Sequence, residues 1–141
     1  MSAEGGIDRQ RLLALARQAR ESAYAPYSGY PVGAALLARD GTVYAGCNLE
    51  CASYGLTLCA ERVALGAAVS AGRREFLAIA VVAAGPVPPS PCGACRQLLA
   101  EFGEGTLVIA SNLEGHLWEA AVGQLLPACF RFPAPRRGAG G

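Results

Sequence analysis

Apolar positions along this chain follow two periods, and the alternation between them predicts its elements. Leu12, Leu15, Ala16, Ala19 and Ala23 recur at helical spacing behind Asp8, whose side chain can accept from the free N–H groups of a first turn, so a helix is expected over 8–23. Pro26, Ser28, Gly29 and Pro31 end it. Residues 32–38 and 42–47 read as two strands joined at Asp40-Gly41, a dipeptide that accepts the positive φ angles of a tight hairpin. The period returns to helical over 58–71 and stops at Gly72, and 76–84 is an uninterrupted apolar run, as in a strand covered on both faces. Four prolines between Pro86 and Pro91 forbid regular structure up to Cys92, after which 96–102 reads as a helix. A second buried strand over 106–111, a short one over 116–119 and a helical turn before Pro127 complete the pattern. A hairpin followed by helices alternating with strands predicts an α/β domain with a mixed sheet and helices on both faces.

Composition narrows the class. A chain of 141 residues holds one core, so residues 1–132 are expected to form a single domain, with 133–141, rich in Pro, Arg and Gly, a disordered tail. Twelve basic residues against eleven acidic ones give a net charge of +1, too little field to gather nucleic acid or an anionic membrane. Hydrophobic residues make up 52% and charged ones only 16%, more apolar surface than a small monomer can cover, which points to a homo-oligomer. The apolar run over 76–84 is far shorter than the roughly 20 residues of a membrane span, and no basic-then-apolar leader opens the chain; a cytoplasmic protein is expected.

Chemistry is to be sought at the cysteines, six in all. Cys59-Ala60-Glu61 opens one helical segment and Pro91-Cys92-Gly93-Ala94-Cys95 another. By itself a Cys-x-x-Cys pair is compatible with a redox dithiol as well as with a metal, although a thioredoxin-like motif would follow the first strand of a βαβ unit and this one follows a proline loop late in the chain. Two residues three apart at a helix start share one side, and their Cβ vectors tilt toward the N-terminus, so Cys92 and Cys95 can reach an ion just off that end. Cys59 at the start of its own helix would add a third thiolate, and three protein ligands leave a tetrahedral zinc one open position for water, the mark of a catalytic site.

Glu61, two residues beyond Cys59, is then placed as a general base that is not a ligand, although a lone Glu in a first turn otherwise serves the helix dipole. Zinc with three thiolates carries a net negative charge, which Arg62 is expected to offset by hydrogen-bonding the sulfurs, with Arg96 as a weaker candidate; the competing reading of Arg62 is a solvated helix charge.

Cys-Ala-Glu-Arg at 59–62 followed by Pro-Cys-Gly-Ala-Cys-Arg-Gln at 91–97 resembles the zinc-dependent nucleoside deaminases. Ala25-Pro26-Tyr27-Ser28, Val32-Gly33-Ala34-Ala35-Leu36, Gly46-Cys47-Asn48-Leu49-Glu50, Ala52-Ser53-Tyr54 and Leu125-Leu126-Pro127, in that order, are similar to the small homotetrameric cytidine deaminases, over nearly all of 7–132. The resemblance implies a three-layer α-β-α sandwich with a mixed five-stranded sheet and one Zn²⁺ per chain. It implies hydrolytic deamination of cytidine and deoxycytidine to uridine and deoxyuridine, with release of ammonia, in pyrimidine salvage. Glu61 would shuttle protons between water, N3 and the leaving amine, and the Ala60 N–H would bond the base carbonyl. Asn48 and Glu50 would hold the sugar, Tyr30 would stack on the base, and Tyr54 and Phe130 would supply further aromatics, some across a subunit boundary. Asn48 and Glu50 also have plainer readings, turn chemistry and a loop charge.

The chain departs from the family pattern at Tyr30, where Phe is expected, and at Cys51, where Asn is usual. Cys47, Cys51 and Cys129 match no ligand position and read as packed or lining thiols, and His116 as a surface or interface residue. A related zinc deaminase acting on a cytosine-containing antibiotic is the alternative; a non-catalytic zinc or nucleoside-binding module and a redox dithiol protein are readings from other classes.

Overall fold

The structure is a computed structural model that describes residues 6–133; the tail expectation falls almost wholly outside them. Helix α1 (Arg9–Arg20) starts where Asp8 predicts, its carboxylate accepting from the Arg11 N–H at 3.1 Å. It stops short of Ala23 because the chain turns to lay Tyr24 beside Leu49, with the Tyr24 N–H donating to the Asn48 carbonyl and the Glu50 N–H to that of Tyr24.

Strands β1 (Val32–Ala38) and β2 (Val43–Cys47) form the expected hairpin, and Gly41 takes a φ of +94° at its tip. Helix α2 (Ala60–Ser70) leads through Gly72 to β3 (Phe76–Ala83). Then come α3 (Gly93–Ala100), β4 (Leu107–Ser111), β5 (Leu117–Ala121) and the short α4 (Val122–Leu125). The sheet runs β2-β1-β3-β4-β5, with β3 and β4 parallel and every other pair antiparallel.

Side-chain alternation along the central strands divides the core into two layers. Ala35 and Leu37 of β1 and Ala78, Ala80 and Val82 of β3 pack with Leu12 and Ala16 of α1. Ala34 and Leu36, with Ile79 and Val81, face α2, α3 and α4 through Ala64, Leu65, Leu99 and Val122. Leu36, Ile79 and Val81 are at most 1% exposed, and each contributes about 2 kcal/mol of burial. The result is the three-layer sandwich with a mixed five-stranded sheet.

Two glycines let the layers meet at backbone distance. A Cβ on Gly33 would lie 2.0 Å from the Ala16 carbonyl oxygen of α1, and one on Gly46 would lie 2.5 Å from the Ala64 nitrogen and 2.6 Å from the Ala60 oxygen of α2. The first turn of α2 therefore rests directly on β2.

Two helix starts differ from expectation. α2 begins at Ala60 rather than Leu58, because Leu58 exchanges both backbone hydrogen bonds with Leu49. α3 begins at Gly93 and ends at Ala100, not over 96–102. Gly93, Ala94 and Cys95 carry little amphipathic signal, so periodicity missed the first turn that Pro91, the last proline, releases.

Candidate active site

Cys59 and Cys92 are the residues just before the first turns of α2 and α3. The two turns meet, bringing the Cys59 and Cys92 sulfurs to 3.8 Å and those of Cys92 and Cys95 to 3.5 Å, with all three within 4.8 Å of one another. Two sulfurs bound at about 2.3 Å to a tetrahedral ion lie roughly 3.8 Å apart, close to the two separations seen here, so the donor set suits zinc. It is the one group of three or more candidate ligand side chains among the described residues.

The thiols polarise one another. Cys59 is drawn down to about 5, chiefly by a hydrogen bond from Cys95, with Cys92 and Arg62 adding to it. Cys95 is pushed up by the proton it shares with Cys59 and by burial. Such a cluster already favours negative charge at a sulfur, the form a metal binds. A redox pair would leave Cys59 without a part to play.

Glu61 sits in the first turn of α2, 5% exposed. Burial pushes its carboxyl up to about 7, and the neighbouring Cys59 thiolate pushes in the same direction. The Ala60 N–H, at the first helical position, has no acceptor within the helix and belongs to a residue lining the cavity. Arg62 donates from Nη2 to the Thr57 carbonyl at 2.9 Å and reaches the Cys59 sulfur at 4.0 Å. Arg96 does not share that task. Its guanidinium binds the Pro91 and Leu125 carbonyls, each at 2.7 Å, and the Ser90 hydroxyl, fixing the loop that leads into Cys92.

Cys59, Cys92, Ala60 and Glu61 line a cavity of about 270 Å³ together with Tyr30, Asn48, Glu50 and Tyr54. Asn48 is tied to the segment before and into β1: its Oδ1 accepts from the Val32 N–H at 2.9 Å and its Nδ2 donates to the Tyr30 carbonyl at 2.9 Å. Glu50 is 5% exposed and accepts from the Ser28 hydroxyl and from the backbone N–H groups of Tyr27 and Ser28. Those bonds, the Ser28 hydroxyl foremost, hold its carboxyl below the usual range, so Glu50 is an anion.

Phe130 is the candidate that the fold leaves outside. Its ring is 68% exposed and stacks edge-on against Phe132, and its carbonyl accepts from the Gln97 side chain. His116 lies in the turn between β4 and β5, its Nδ1 3.0 Å from Asn112 Nδ2. Cys47, Cys51 and Cys129 are free thiols apart from the cluster. Sequence reasoning gave no role to Ser28 or Thr57. Thr57 lines the cavity with a buried hydroxyl that has no hydrogen-bond partner among the described residues. The Ala25-Pro26-Tyr27-Ser28 run flagged its segment, but a hydroxyl's partner 22 residues away is a property of the fold.

Three thiols around an open position, a buried carboxyl beside them and a cavity sized for a small molecule define a mononuclear zinc hydrolase on a mixed α/β sandwich. Residues 7–111 match the family described as cytidine and deoxycytidylate deaminase zinc-binding region. The chain is 56% identical over 125 residues to a cytidine deaminase of Halalkalibacterium halodurans, covering 88% of this chain and 95% of that one. It is 54% identical over 125 residues to one of Sporosarcina psychrophila, covering 88% of this chain and 92% of that one. The crystal structure of cytidine deaminase from Burkholderia pseudomallei superposes with a TM-score of 0.86 at 49% identity, covering 88% of this chain and 100% of that one. This chain belongs to the cytidine and deoxycytidylate deaminase family, and within the matched region Cys59, Cys92 and Cys95 form a group positioned to hold a metal ion.

Proposed function

We propose that the protein is a zinc-dependent cytidine deaminase, hydrolysing cytidine and deoxycytidine to uridine and deoxyuridine with release of ammonia, a step of pyrimidine salvage. The observation that carries this reading is one cavity lined by Cys59 and Cys92 of the three-cysteine cluster, by Glu61, and by the anion Glu50 with Asn48. Zinc held by the three cysteines supplies Lewis-acid activation of water.

The chain's own groups do the rest. Glu61 takes one proton of the attacking water and delivers it to N3 so that C4 becomes electrophilic, then takes the remaining proton of the hydroxyl added at C4 and passes it to the amine as the C4–N bond breaks and ammonia leaves. A carboxyl whose affinity for protons lies near neutrality can both accept and give them up. The Ala60 N–H donates to the base carbonyl. Glu50 and Asn48 accept from sugar hydroxyls, each with an acceptor position left after its bonds within the chain. An anion at that place repels phosphate, which favours free nucleosides over nucleotides. Tyr30 and Tyr54 present ring faces to the base and sugar. Arg62 stabilises the thiolates as a positioning residue.

Exposed Phe130, Phe132, Leu56 and Val87 together with the apolar composition support a homo-oligomer, a tetramer by family resemblance, in which Phe130 serves a neighbouring copy. No helix among the described residues is long and apolar enough to cross a membrane, in keeping with a cytoplasmic place for the enzyme.

The test is Glu61→Gln, assayed by the ultraviolet change of cytidine. Turnover is expected to fall by about 10²–10⁴-fold or more with zinc content unchanged. Parental turnover in that variant would remove Glu61 from the mechanism.

A further inference from the structure

Glu50 accepts three hydrogen bonds from the Tyr27–Ser28 segment, and one side chain, that of Ser28, alone holds one of its two oxygens. Oε1 accepts two bonds, from the Tyr27 N–H at 2.9 Å and the Ser28 N–H at 3.1 Å. Oε2 accepts one, from the Ser28 hydroxyl. A carboxylate offers about four acceptor positions, so a single one remains, on Oε2, the oxygen that Ser28 governs. Ser28 itself has little freedom. Its Oγ accepts from the Tyr30 N–H at 3.0 Å, which directs its own proton toward Glu50. Both Ser28 and Glu50 line the cavity, and Glu50 is otherwise buried, so the remaining acceptor position can be reached only from there.

We propose that Ser28 is a positioning residue that sets sugar selectivity: its hydroxyl fixes Oε2 of Glu50 so that one acceptor position is kept for a hydroxyl of the substrate's sugar. The proposal rests on Glu50 being the sugar-binding group. Without the hydroxyl, Glu50 keeps only the two backbone bonds on Oε1, and Oε2 is free to turn about the terminal torsion, so its geometry must be fixed anew each time a substrate binds. On the base side the loss is confined to the bond from the Tyr30 N–H to the Ser28 hydroxyl oxygen. The Tyr30 carbonyl and the Val32 N–H remain tied to Asn48, so the segment carrying the Tyr30 ring keeps two of its anchors.

The experiment compares cytidine with 1-methylcytosine, a competitive ligand that keeps the base and has no sugar, in the parent, Ser28→Ala, Ser28→Thr and Glu50→Gln. Ser28 is exposed enough that neither of its substitutions threatens folding. Ser28→Ala is expected to raise the cytidine KM about tenfold, as for loss of one hydrogen bond to a charged group, with kcat changed less than about threefold. The inhibition constant of 1-methylcytosine should stay within roughly twofold, and Ser28→Thr, which keeps the hydroxyl, should recover most of the cytidine KM. An unchanged cytidine KM in Ser28→Ala, or equal losses for the two ligands, overturns the role of Ser28 when Glu50→Gln still separates them. If Glu50→Gln also affects both ligands alike, Glu50 does not bind the sugar and the proposal falls with that reading.

Discussion

Replacing Gly46 by alanine tests whether direct backbone contact between β2 and α2 places the catalytic turn. The added Cβ would stand 2.5 Å from the Ala64 nitrogen, 2.6 Å from the Ala60 oxygen and 3.0 Å from the Ala64 Cα, all backbone atoms that no rotamer change can move. Restoring the closest approach to the 3.4 Å of ordinary contact requires α2 to shift by about 0.9 Å, since 3.4 minus 2.5 is 0.9. Ala60 and Glu61 ride on that turn, and Cys59 immediately precedes it. Overpacking of this kind costs about 1–3 kcal/mol, equivalent to a melting temperature lower by roughly 3–10 °C in a domain of this size. A displacement near 1 Å in a reacting group costs about 10²-fold in rate, so kcat/KM for cytidine should fall by roughly that factor, more than lost stability explains. Gly66→Ala, on the same helix with open space around its Cβ, is the control. It should stabilise by about 0.5–1 kcal/mol through helix propensity alone and leave activity unchanged. Melting curves, zinc content and the ultraviolet assay on both variants decide the matter. A Gly46→Ala protein with parental kcat/KM and melting temperature would refute the claim that this glycine seats the active site.

Arg62→Gln should weaken zinc binding by about 10–100-fold, read by competition with a chelator, while Cys59, Cys92 and Cys95 are all retained; an unchanged affinity would make Arg62 a helix charge only. Glu119 on β5 pairs with Arg9 of α1 at 2.8 Å, and the Arg9 hydrogen bond lowers its pKa from the ordinary 4.5. A depressed folded-state pKa contributes stability that is present above the unfolded value and is lost as pH falls through the folded one. With side chains 37% and 34% exposed the pair is screened, so Arg9→Gln should cost only about 0.5 kcal/mol at pH 7 in urea unfolding, and the gap to the parent should close as pH falls through the lowered Glu119 pKa. A gap that persisted there would assign the effect to something other than the ion pair.

The chemistry was legible because the reacting groups come from contiguous motifs. Cys59-Ala60-Glu61-Arg62 needs only a helix start to set the carboxyl two residues beyond a ligand, and Cys92 and Cys95 need only one helical turn to share a face. The hairpin and the two buried strands were equally plain, since period-2 and uninterrupted apolar runs report their own burial. Helix starts were read less well, because Leu58 is captured by Leu49 and the first turn of α3 is built of small residues that carry no period.

What the sequence determined by itself was the group of three cysteines positioned to hold a metal, the carboxyl proposed to move the proton, the order of elements and the α/β class, all of which rest on spacings of a few residues. Only the tertiary structure decided how those pieces became one site. The sequence separation of 33 between Cys59 and Cys92 is closed to a 3.8 Å sulfur contact by the meeting of two helix starts, and Gly46 lets one of them rest on the sheet. It also decided that Glu50 is an anion with one acceptor position left, that Arg96 braces a loop rather than a sulfur, and that Phe130 lies outside the cavity of its own chain. Local spacing fixes which chemical groups can act together along a turn of backbone, whereas hydrogen-bond partners and burial depend on contacts between segments distant in sequence, which only packing of the whole sheet supplies.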